Sequence, residues 1–214
     1  MKGLRYMLIC LVSCLLGSAV LAQTTHEVHL LIQGTEMGAE FYFEPVGLHI
    51  QPGDTVRFIA DTPHHTVTAY HGQQGKPHRV PEGVGPFSSP VIPVWESWEM
   101  TFDIAGTYDL WCAPHEMFGM AMRLVVGEPG GPAMSPITDF GPEGVFGASG
   151  TVLSDPALEA ANIVAKGSVS WAEISDAAKM PPDSEGSMDH SEHSQGFIKT
   201  PENGARRSGS ETDL

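Results

Sequence analysis

Cys112, His115 and Met120 stand in one short run, Cys112-Ala113-Pro114-His115-Glu116-Met117-Phe118-Gly119-Met120. A thiolate, an imidazole three positions on and a thioether five positions after that let a single tight loop offer a soft sulfur, a nitrogen and a weak axial sulfur to one ion. That donor set selects copper. Zinc asks for a further Cys or His, and thiol–disulfide exchange asks for a second Cys nearby; the run has neither. The remaining ligand has to come from another part of the chain. His65, at the head of the extended stretch His65-Thr66-Val67-Thr68-Ala69-Tyr70, supplies it, with His64 beside it as a competitor, and Met117 competes with Met120 for the axial place.

The lone thiol gains meaning from the amino terminus. Lys2 and Arg5 precede an apolar run from Tyr6 to Leu21, and Val20-Leu21-Ala22 puts small residues at the cleavage positions before Gln23, which is the layout of a secretory signal. Cleavage near Ala22 removes Cys10 and Cys14, so the mature chain keeps Cys112 alone and forms no internal disulfide. Leu11-Val12-Ser13-Cys14 resembles a lipidation motif, but the apolar run continues past it. No later segment approaches the roughly 20 apolar residues that span a bilayer, which predicts a soluble periplasmic or secreted protein.

The elements that position these residues read as short strands. Trp98, Met100, Phe102 and Ile104 alternate with polar residues, Ala105-Gly106 turns the chain, and Thr107–Cys112 follows, predicting a hairpin that leads up to Cys112. Val56, Phe58 and Ala60 alternate after Pro52-Gly53, a type II turn signal, and Met120, Met122, Leu124 and Val126 alternate again. Further strands are expected at His26–Gln33, Phe41–Phe43, Leu48–Ile50 and His65–Tyr70. This density of short strands over residues 23–127 predicts an all-β Greek-key sandwich. Gly 24 and Pro 17 among 214 residues, with a hydrophobic fraction of 41%, argue against a helical bundle.

Past the sandwich, residues 128–179 form a Gly- and Pro-rich extension, read as an extended linker or wrap up to Gly150 and then two short helices. Asp155 with Pro156 starts one that ends before Gly167, and Ser170-Trp171-Ala172-Glu173 is a capping box for the other. Their apolar residues Leu158, Ile163, Val164, Trp171 and Ile174 require covering by the sandwich or by a partner. Residues 180–214 are polar and rich in Ser, Gly and Pro, the composition of a disordered tail.

His65-Thr66-Val67 together with Cys112-Ala113-Pro114-His115 and Gly119-Met120, in a β domain behind an export signal, resembles the plastocyanin, pseudoazurin and halocyanin group of cupredoxins over about half of the chain. The resemblance implies a type 1 (blue) copper site with His65, Cys112, His115 and Met120 as ligands. It selects His65 over His64, because the family's histidine precedes a polar residue and Val, and Met120 over Met117, because the longer loop is pseudoazurin-like. It also implies that the N–H of Thr66 donates to the copper-bound sulfur and that Pro114, lacking an N–H, gives no second donor. The side-chain tie that many relatives make between the residues after the first His and after the Cys is expected to be absent, since Thr66 and Ala113 stand there.

The implied role is a one-electron carrier, not an enzyme, docking transiently through a patch of Pro114, Met117 and Phe118 around His115 on exported or membrane-facing redox proteins such as cytochromes, oxidases or reductases. Copper oxidases and nitrite reductases bracket their thiolate with histidine, whereas Trp111 and Ala113 flank Cys112. The other reading is periplasmic copper delivery or storage, for which Met188, His190 and His193 of the tail would supply extra metal ligands. His26, His29, His49, His71 and His78 are expected to be ordinary surface or strand histidines. A formal charge of −15, about −17 after cleavage, excludes nucleic acid as a partner and suits an acidic surface that steers a basic one.

Overall fold

The computed structural model describes residues 23–36 and 38–179; the expected export signal and the tail with Met188, His190 and His193 lie outside the described residues. Alternation sets the strands. Along Asp54–Ala60 the alternate residues Val56, Phe58 and Ala60 are buried while Arg57 is exposed, the period of two that packs one face of a sheet. The strands are β1 (Thr25–Thr35), β2 (Gly38–Glu44), β3 (Gly47–Ile50), β4 (Asp54–Ala60), β5 (Thr68–Ala69), β6 (Ser97–Phe102), β7 (Gly106–Trp111), β8 (Ala121–Val126) and β9 (Ser168–Val169). They form two sheets, β2-β1-β4-β6 and β5-β7-β8-β3-β9. The core between them joins Val28, Leu30, Phe58 and Phe102 of the first to Ile50, Tyr108, Leu110 and Leu124 of the second. The expected all-β sandwich is present, with two parallel pairings, β1 with β4 (Val28 opposite Phe58) and β3 with β8 (Leu48 opposite Leu124).

The hairpin expected before Cys112 is not formed. β6 pairs with β4, Phe102 opposite Asp54, whereas β7 pairs with β5 and β8 in the other sheet. Alternation fixes which residues face the core, but it leaves the choice of neighbour to the free sheet edges. The chain crosses between sheets at Ile104–Gly106, where the Tyr108 hydroxyl donates to the Ile104 carbonyl at 2.6 Å. Gly106 has φ 137, and a Cβ there would stand 2.6 Å from Pro81. At the other turn, Gly53 has φ 91 and the Asp54 N–H donates to Gln51, as the Pro-Gly pair predicts.

The extension docks on the sandwich. Leu158, Ile163, Trp171 and Ile174 join the main core together with Val169, whereas Val164, expected to be covered, stays exposed; every residue of β8 is buried because the extension covers its outer face. Two details differ from the sequence reading. The stretch from Asp155 to Lys166 is a 3-10 turn, Pro156–Leu158, then an extended Glu159, then the helix α2 (Ala160–Lys166). That break lets both Leu158 and Ile163 reach Gly47, where a Cβ would stand 2.8 Å from one and 3.1 Å from the other. The presumed wrap before Gly150 instead ends in a helix, α1 (Gly147–Leu153), despite two glycines. Packing overrides propensity there, since the Phe140 ring occupies the space a Cβ of Gly150 would need, 2.5 Å away. The capping box at Ser170 and Glu173 is formed, over a single 3-10 turn, and α3 (Asp176–Lys179) follows.

Candidate metal centre

β7 delivers Cys112 to the end of its sheet, and the next residues close on themselves. His115 N–H donates to the Cys112 carbonyl at 3.0 Å, Met120 N–H to the His115 carbonyl at 3.2 Å, and Cys112 N–H to the Met120 carbonyl at 3.0 Å. Between them Glu116–Phe118 makes a 3-10 turn that Gly119, φ 91, terminates in the left-handed region. His65 arrives from the segment after β4. The expected strand from His65 to Tyr70 is shorter, since β5 covers only Thr68–Ala69 and His65 makes an isolated bridge with Ile92.

The ligand atoms of His65, Cys112 and His115 all lie within 4.8 Å of one another, and all three residues are buried. Nδ1 of His65 is 3.7 Å and Nδ1 of His115 3.5 Å from the Cys112 Sγ. The far ring nitrogen of His65, Nε2, is 2.8 Å from the Thr62 hydroxyl, which fixes the ring with Nδ1 toward sulfur. His64, with φ 69, is exposed. Of the two thioethers, Met120 is fully buried beside Cys112 in the core, whereas Met117 is 55% exposed. Pro114 and Phe118 are also exposed, and His115 keeps 8% of its surface among them, its ring 4.7 Å from Phe41.

Thr66 joins the two ligand segments through two bonds. Its N–H donates to Sγ at 3.3 Å, and its hydroxyl accepts from the Ala113 N–H at 2.8 Å. The side-chain tie between ligand segments is absent, as expected, and the Ala113 backbone makes a tie to Thr66 in its place. Burial pushes the Cys112 thiol up to about 11, the Thr66 N–H only partly offsetting it. Burial also pushes His65 down to about 4, helped by His115 and His64, and lowers His115. Burial favours the neutral form of all three, so a cation held by His65, Cys112 and His115 would have to displace the thiol proton and would meet a thiolate in a water-poor cage. Two nitrogens and one soft sulfur, preset and shielded, fit copper.

His26, His29, His49, His71 and His78 are partnered elsewhere. His26 is 3.0 Å from Asp54, His29 2.9 Å from Asp61, Nε2 of His49 3.0 Å from the Gly127 carbonyl, and the His71 and His78 rings meet edge to face at 4.7 Å. Three residues that the sequence reading passed over touch the site or its loop: Thr62, Lys76 and Glu116. A threonine three positions before a ligand carried a weak signal; the lysine and glutamate carried none, being joined only by the fold.

The model of the copper-binding plastocyanin/azurin family matches residues 29–127. A protein of Rhizobium leguminosarum bv. viciae named for pseudoazurin is 38% identical over 126 residues, covering 58% of this chain and 76% of the relative. A pseudoazurin of Paracoccus pantotrophus is 36% identical over 104 residues, 49% of this chain and 64% of that protein. Among solved structures, a pseudoazurin from a Sinorhizobium is 32% identical with a TM-score of 0.41, covering 50% of this chain and 76% of the other.

Proposed function

The chain belongs to the plastocyanin/azurin family of copper-binding proteins, and from that premise we propose that it is an exported electron carrier whose single type 1 copper is held by His65, Cys112, His115 and Met120. The observation that carries the ligand assignment is the convergence of three buried donor atoms within 4.8 Å at the foot of the Cys112–Met120 loop.

Copper bound there would take up and release one electron. The chain's own residues keep that exchange cheap in rearrangement. The sandwich holds β7 and the His65 segment at fixed separation. Thr62 orients one imidazole, Thr66 ties the sulfur and the Ala113 backbone together, and burial keeps water from the sulfur. Such a site needs no open coordination position. The exposed Pro114, Met117 and Phe118 around the His115 edge suit a small, transient apolar contact, and the acidic charge suits a partner with a basic rim. Partners are exported or membrane-facing redox proteins, reached after removal of residues 1–22. No helix among the described residues is long and apolar enough to cross a membrane.

The test is the visible and electron-spin resonance spectrum of the mature chain with one equivalent of Cu(II), before and after ascorbate, beside Cys112→Ser. The expected result is an intense thiolate-to-copper band with narrow hyperfine splitting, bleached reversibly by ascorbate and absent from the variant. A pale spectrum indifferent to Cys112→Ser would overturn the assignment.

A further inference from the structure

Lys76 and Glu116 form an ion pair at 2.7 Å with side chains only 6% and 2% exposed. The three N–H bonds of the ammonium are matched by three acceptors: the Glu116 carboxylate, the Pro142 carbonyl at 2.9 Å and the Gly144 carbonyl at 3.0 Å. The same group lies 5.0 Å from the ring centre of Trp111 and 4.7 Å from that of Phe146. Glu116 is held in turn. Its Oε1 accepts from the Tyr70 hydroxyl at 2.8 Å and the Phe146 N–H at 3.4 Å, and its carbonyl accepts from the Ser149 hydroxyl at 2.7 Å.

The position of this cluster matters more than its strength. Trp111 immediately precedes Cys112, and Glu116 immediately follows His115. One ammonium therefore touches the chain neighbours of Cys112 and His115, two of the three ligands the loop carries, and it is anchored to the carbonyls of Pro142 and Gly144 in the extension. A buried ion pair adds little net stability over apolar residues of the same size, because desolvation offsets the attraction. The pair is also neutral as a whole, so it places no net charge beside the sulfur. What it does supply is fixed geometry.

We propose that Lys76 is a positioning residue for the metal centre: with Glu116 and the carbonyls of the extension it sets the separation of Cys112 from His115 and holds it through the redox cycle. The inference rests on the copper reading above. It gives the extension a role at the site, as the wall that presents Lys76.

The test compares the full mature chain with Lys76→Met/Glu116→Gln, which removes both buried charges together, and with Tyr70→Phe, a milder isosteric change. In the metal-free protein, hydrogen exchange of the amides from Cys112 to Met120 should rise about tenfold in the double variant, with a smaller rise in Tyr70→Phe. In the copper-loaded protein, both should show altered hyperfine splitting and slower electron self-exchange, about tenfold in the double variant. Wild-type exchange, splitting and self-exchange in both variants, with only a lower melting temperature, would overturn the proposal and leave Lys76 a structural residue. A wild-type chain without the thiolate band would sink the copper reading instead, while exchange in the metal-free chain still tests the clamp.

Discussion

Thr66 donates its N–H to the Cys112 sulfur and accepts the Ala113 N–H on its hydroxyl, and substitution can separate the two bonds. Thr66→Val keeps the N–H that reaches Sγ but deprives the part-buried Ala113 N–H of its acceptor. We expect a loss of about 0.5–1.5 kcal/mol in urea unfolding of the metal-free chain, the net worth of one hydrogen bond, with Cu(II) still bound. The residue also marks where sequence reasoning stops. The loop from Cys112 to Met120 was legible because its donors are close in sequence and their spacing is itself chemistry. The Thr66 hydroxyl was not, since the expected partner was a side chain and Ala113 has none to give. Lys76 and Glu116 were further out of reach: each looks like a surface charge until the fold closes over it.

Strand existence was legible from alternation, and strand partnership was not. Trp98 to Phe102 and Tyr108 to Leu110 carry the right faces, yet the turn between them is a corner between sheets, fixed by the open edge of β4 and by Tyr108 reaching Ile104. The extension was legible as two capped segments; its break at Glu159 and its α1 helix follow from what they pack against. Gly47 tests that packing. Ala there would push on Leu158 and Ile163, whose flexible ends must shift. Gly47→Ala should cost about 1–3 kcal/mol in a denaturant melt, and amide exchange in β9 should rise as the extension lifts. An unchanged melt would mean that these side chains move aside freely.

At the scale of the whole molecule, two carboxylates join distant parts of the chain and set its acid limit. For Asp54, burial would raise its proton affinity, but hydrogen bonds from the Gln51 and Thr24 N–H groups and from His26 outweigh it and hold it below its ordinary 3.8. Asp155 is likewise lowered: burial is outweighed by Ser175 and the Ala157 N–H. A folded value below the unfolded one means stability fully present above about pH 4 and lost as pH falls through the folded value. The urea midpoint should therefore be level on this account near neutrality and drop below about pH 4. Asp54→Asn should lower the level region and flatten part of the drop; an unchanged slope would remove Asp54 from the account. The same long-range joining has a further consequence at β9. Its two residues, Ser168 and Val169, pair antiparallel with Leu48 and Gly47 and so occupy the outer edge of the second sheet. A chain ending before Ser168 would leave the backbone of β3 as a bare template for another copy to pair with, an edge that the extension covers.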